Sequence, residues 1–155
     1  MAWGTVAKCA WSDKFRQPTL DDLQSGLPKP LQPIFDDARE RLGELDSVSE
    51  ALVWQGVPWR WTMVYTVAGN DVRGIVYLIP DPQRLQICVP LEHDQIEQVG
   101  LKRMKKSIRD GVVFARNVAG VWWPTWDVAS KTALDEVFDL IARKHRLVVP
   151  EPIAS

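Results

Sequence analysis

The chain has 155 residues, 46% of them hydrophobic and 25% charged, the proportions of one globular domain with room for a substantial core. Its 19 Lys and Arg stand against 20 Asp and Glu, so a formal charge of -1 gives no general field to hold nucleic acid or an anionic membrane. The two cysteines, Cys9 and Cys88, lack the spacing of a redox pair or a zinc site and read as free thiols in a cytoplasmic protein.

Residues 1–18 show no sustained period, and "MAWGTVAKCAWSDKF" lacks the continuous apolar run of a signal peptide or an anchor. Trp3, Trp11 and Phe15 are too apolar for a solvated tail, so this segment is expected to lie as an arm on a single α+β domain over 19–155. Thr19 can cap a short helix that begins with Asp21 and Asp22. Pro33 suits a first helical residue, and Leu31, Ile34, Phe35, Ala38, Leu42 and Leu45 recur at steps of three and four, which predicts an amphipathic helix ending near Asp46 or Ser47. Asp36, Asp37, Glu40 and Glu44 occupy its outer face.

The period then changes from helical to alternating. In "VPWRWTMVYTVAG", Trp59, Trp61, Met63, Tyr65 and Val67 share one face and Arg60, Thr62, Val64 and Thr66 the other, as in a strand. "RGIVYLIPD" sets Ile75, Tyr77 and Ile79 against Val76 and Leu78, and "RLQICVPL" follows with Leu85, Ile87 and Val89. "AGNDV" and "PDPQ" are turn chemistry, so these strands form an antiparallel meander, preceded by a short strand at "EALVWQG". "EHDQIEQVGLKRMKKSIRDG" returns to a helical pattern, with acids first, bases later and Gly111 just beyond. Two short apolar stretches, "GVVFARN" and "GVWWPT", lead to a last helix capped by Ser130, with Leu134, Val137, Phe138, Ile141 and His145 on one stripe. The sum is an α+β fold: an antiparallel sheet of five to six strands with helices packed mainly on one face.

Eight tryptophans are the most distinctive feature. In an extended "GVWW" neighbouring side chains point to opposite faces, so Trp123 shares the Val121 face and Trp122 the Gly120 face. Trp123 is expected beneath the last helix, Trp122 on the uncovered side, and Trp126 near the Ser130 cap. With Trp54, Trp59 and Trp61 on adjoining strands, the sheet holds more indole than a helix layer covers. Trp54, Trp59, Trp61, Trp122 and Trp126 are therefore the candidate ligand-binding residues, for a small apolar ligand, a protein partner or a second copy of the chain.

Other chemistry is sparse. His93 reads as a solvated helix start, and His145 suits the negative end of its helix. No phosphate loop, zinc-protease motif or nucleophile elbow occurs, so neither a catalytic set nor a cofactor is assigned. Lys102, Arg103, Lys105, Lys106 and Arg109 form the strongest basic run and read as a solvated face, with no nucleic-acid partner expected.

The order of a helix, "LVWQGVPWRW", three strands, a basic helix and "VWWPTWDVASKTALDEVFDLIARK" resembles the YdhG-like domain of unknown function, a small bacterial α+β family, over roughly residues 19 to 147. Gly56, Val57 and Pro58 match the Gly-x-Pro turn that opens the meander there, and Trp123 through Leu134 the polar stretch into the last helix. The resemblance implies a frataxin-like outline and, as proposed for some relatives, iron chaperoning, which would fall to Asp36, Asp37, Glu40 and Glu44. Here Arg39 and Arg41 are interleaved with those acids, which leaves little negative potential for a cation. The expected function is thus non-enzymatic binding through a tryptophan-rich sheet surface, with iron handling as the alternative and an enzyme third.

Overall fold

The computed structural model describes residues 9–68 and 73–149, so Trp3 lies outside the described residues. The helices are α1 (Leu20–Ser25), α2 (Gln32–Gly43), α3 (His93–Gln98), α4 (Lys106–Val113) and α5 (Lys131–Val148). The strands are β1 (Val48–Trp54), β2 (Trp61–Val67), β3 (Val76–Asp81), β4 (Arg84–Cys88), β5 (Leu91–Glu92), β6 (Asn117–Val118), β7 (Val121–Trp122) and β8 (Thr125–Asp127). They make a five-stranded antiparallel sheet in the order β1-β2-β3-β4-β8 and a small sheet in the order β5-β7-β6.

Register explains where the core sits. Met63, Leu78, Ile87 and Trp126 lie opposite one another across β2, β3, β4 and β8, and the next row is Val64, Tyr77, Cys88 and Thr125. Because successive residues of a strand point to opposite faces, the two rows belong to different faces. The first row joins Phe35, Ala38 and Leu42 of α2, Ile108 and Val112 of α4, and Leu134, Val137 and Ile141 of α5 in the main core. The helices thus cover one face. Val64, Tyr77, Ile79 and Cys88 form a separate buried cluster, closed over by the half-buried rings of Trp11, Trp59 and Trp123.

Caps follow the sequence closely at two helix starts. Thr19 accepts from the Asp22 amide while Asp22 accepts from the Thr19 amide, and Ser130 Oγ accepts from the Ala133 amide. Elsewhere the boundaries move. The helix predicted over 92–111 is divided: α3 stops before Gly100, whose φ of 71° reverses the chain, and a 3-10 turn at Leu101–Arg103 precedes α4. Gly111 sits inside α4 rather than beyond it. A side chain there would collide with the Trp126 indole, so its place in the sequence reflects ring packing and not a helix stop. Helix α2 ends at Gly43, earlier than expected, and the passage to β1 turns at Ser47 with φ 62°. His145 fixes this passage: its Nε2 lies 2.7 Å from the Asp46 carbonyl.

The described part of the arm rests on the body through Trp11 and through the Asp13 carbonyl, which accepts from Trp61 Nε1 at 2.7 Å. Phe15 differs from expectation, standing 89% exposed where its amide is held in a turn by Asp13.

Candidate ligand-binding site

The five nominated tryptophans do not form one surface. Trp61 and Trp126 are buried and their indole N–H groups donate within the molecule, Trp61 to Asp13 O and Trp126 to Ser107 O at 3.1 Å. Trp54 pairs with Trp61 across β1 and β2, edge to face at 5.7 Å between centroids. Trp122 belongs to the small sheet, opposite Leu91, with the His93 ring 6.0 Å away. His93 itself is exposed and pairs with Glu97.

Trp59 goes elsewhere. It was expected on the Trp61 face, but Arg60 between them has φ 57°, which breaks the alternation before β2 begins at Trp61. Its ring packs instead on the face without helices, 5.2 Å from Tyr77 and 6.1 Å from Trp123, with Tyr77 and Trp123 5.8 Å apart. Trp123 is corrected likewise: it packs against the far-face cluster and not beneath α5. The reason is that Val121 and Trp122 pair in the small sheet, whereas β8 starts after Pro124 with Trp126 toward the helices. Alternation counted backward from Trp126 puts Trp123 and Thr125 together on the opposite face, a count the sequence allowed.

At the rim of this trio stands Arg73. Its guanidinium carbon lies 5.9 Å from the Trp123 ring centre, and its Nη2 pairs with Glu92 at 2.9 Å. The same arginine lines a cavity of about 210 Å³ with Ile75, Glu92, Gln95, Lys144 and Val148. Lys144 was not singled out by sequence, since it reads as one more base on the last helix. It is only 4% exposed, and its ammonium donates to the Ile75 carbonyl at 2.9 Å and to the Pro90 carbonyl. Burial, reinforced by the Arg73 charge, lowers its pKa to about 7. Below the aromatic trio, burial pushes the Cys88 thiol up to about 12, which removes it as a nucleophile near neutrality. Cys88 and Cys9 are both free, as the sequence suggested.

The acidic helix borders a larger cleft of about 400 Å³ with Asp36, Arg39, Glu40, Val48, Glu50 and Tyr65. Two of its charges are paired: Arg39 grips Glu50 through two N–H groups at 2.9 and 3.2 Å, and the Tyr65 hydroxyl donates to the same carboxylate at 2.6 Å. Burial and that hydrogen bond hold the Tyr65 phenol well above its usual range. Asp36 accepts from Gln24. Among the described residues, no group of three or more His, Cys, Asp or Glu gathers closely enough to hold a metal ion, and no helix is long and apolar enough to cross a membrane. Lys102, Arg103, Lys105, Lys106 and Arg109 are all exposed.

No protein-family model matches the chain, and no curated protein or solved structure matches it significantly.

Proposed function

We propose that this protein is a non-enzymatic binding module that holds a small apolar ligand against Trp59, Tyr77 and Trp123. The observation that supports it is the arrangement of these three rings, packed mutually within 6.1 Å on the sheet face that carries no helix, with Trp59 and Trp123 still partly open to solvent. Aromatic side chains with a cation beside them are the kinds of group that line small-molecule sites. Two half-covered indoles offer far less than the roughly 800 Å² that each side of a stable protein interface contributes, which favours a small molecule over a protein partner.

The test uses 2-naphthol, a neutral aromatic probe, titrated into the protein while the indole N–H resonances are followed. Saturable shifts confined to Trp59 and Trp123, and lost in Trp123→Ala, are expected. Shifts only at Trp54 or Trp122, or no saturable shift, overturn the proposal. Probe-independent dimerisation that shifts the same two resonances would replace the small ligand by a second copy of the chain.

A further inference from the structure

Among the described residues, the cavity beside Arg73 gathers one more cation than carboxylates. Arg73 and Lys144 contribute two cations against the single carboxylate of Glu92, which already accepts from Arg73. Lys144 is held only by two main-chain carbonyls, so the third N–H of its ammonium has no protein acceptor among the described residues. The Gln95 side-chain oxygen accepts from the Glu92 amide, which leaves its NH2 group as a further donor on the wall. A buried cation without a counter-charge is costly, and the cost falls when an anion enters. Ile75 and Val148 supply apolar wall, while Arg73 joins this cavity to the Trp123 ring.

We infer that this cavity takes the carboxylate of a small organic acid, between Arg73, Gln95 and Lys144. The assignment deepens the binding role proposed above and rests on it for the apolar part of the ligand. A monocarboxylate fits better than a phosphate, because the excess charge to be neutralised is a single unit. The groups facing Lys144 are Arg73 ahead of β3, Cys88 on β4 and Glu92 on β5, and α3 presents the neutral Gln95. Burial brings the Lys144 ammonium down to about 7. An entering carboxylate favours its protonated form, so binding strengthens as pH falls through about 7.

The full chain is titrated calorimetrically with sodium butyrate at about pH 6 and about pH 8.5, at constant ionic strength, with butyramide as the uncharged control. Saturable butyrate binding is expected, about tenfold tighter at the lower pH, with no butyramide binding and loss of butyrate binding in Arg73→Gln. Equal binding of acid and amide, no pH dependence, unchanged binding in Arg73→Gln, or stronger binding of inorganic phosphate each overturns the inference. Lys144→Met is a second variant: if it folds, it is expected to lose butyrate binding. If it does not fold, the arginine variant and the pH dependence decide. Failure here with intact 2-naphthol shifts at Trp59 and Trp123 removes the carboxylate site alone, whereas butyrate binding without those shifts removes the aromatic site alone.

Discussion

The two faces of the five-stranded sheet are closed in different ways. The helix side is mostly aliphatic, with Phe35, Tyr65 and Trp126 among its buried rings, and the polar atoms of the last two are bonded: the Trp126 indole donates to Ser107, and Tyr65 to Glu50. The far side is closed by loop-borne rings, Trp11, Trp59 and Trp123, lying on a small buried cluster. A helix layer interlocks through many contacts along its length. Rings delivered by turns cover as much surface per residue but meet at edges, and a polar cavity lies between Arg73 at their rim and Gln95 of α3 and Lys144 and Val148 of α5. A core tryptophan and a partly open one, Trp126 and Trp123, thus lie three residues apart in one short segment, on opposite faces of the sheet.

The largest expected effect tests the helix side. Trp126→Ala removes a buried ring that rests on Gly111 and should cost about 3 to 5 kcal/mol in denaturant melts. A loss below that of Trp123→Ala would reverse the assignment of the two faces.

Lys144 should produce the next effect, and its sign is definite. Its ordinary value of 10.5 falls to about 7 in the folded state, so between these values the unfolded chain binds more protons and stability rises with pH. Below about 7 the full penalty of the buried charge is present. Above 9.0 the Cys88 thiol acts oppositely, because its folded value of about 12 lets the unfolded chain ionise first. Melts between pH 7 and pH 9 should therefore show a gain on the order of 2 kcal/mol. Lys144→Met should be flat over the same range, and an equal rise in the variant would assign the effect to another group.

Trp123→Ala comes third, at about 1 to 3 kcal/mol, since a half-covered ring loses part of a burial contribution and two aromatic contacts. The comparison breaks if this loss equals that of Trp126→Ala, for then both faces are equally core.

Much of the fold was legible because periodicity reports burial directly. The alternation of Met63, Tyr65 and Val67, of Val76 and Leu78, and of Leu85 and Ile87 predicted the strands of the meander, and Thr19 and Ser130 marked helix starts through hydroxyls that cap. The site was less legible, for physical reasons that can be named. Arg60 adopts a left-handed backbone, which a Gly would have announced and an Arg did not, so Trp59 was placed on the wrong face. Pro124 separates two sheets, so alternation counted forward from Gly120 put Trp123 beneath a helix it does not touch. Lys144 lies in the fourth turn of an amphipathic helix, and nothing local distinguishes a lysine that meets solvent from one that reaches Ile75 and Pro90 carbonyls far away in sequence.

Arg73 gives the smallest stability effect and the sharpest separation of the two roles. Its pair with Glu92 is partly exposed, at 29% and 55% side-chain accessibility, so water screens most of the attraction. Its contact with Trp123 adds a cation–π contribution of similar size at an exposed rim. Arg73→Gln should therefore cost less than about 1 kcal/mol in a denaturant melt, far below Trp126→Ala. Removing the guanidinium also withdraws a positive neighbour from Lys144, so its folded pKa should rise and the gain in stability with pH should begin higher than in the unaltered protein. A cost of several kcal/mol would mean that Arg73 holds the far face together. A small cost with an unmoved pH profile would mean that Arg73 and Lys144 do not share one cavity electrostatically, and the carboxylate site would lose its second cation.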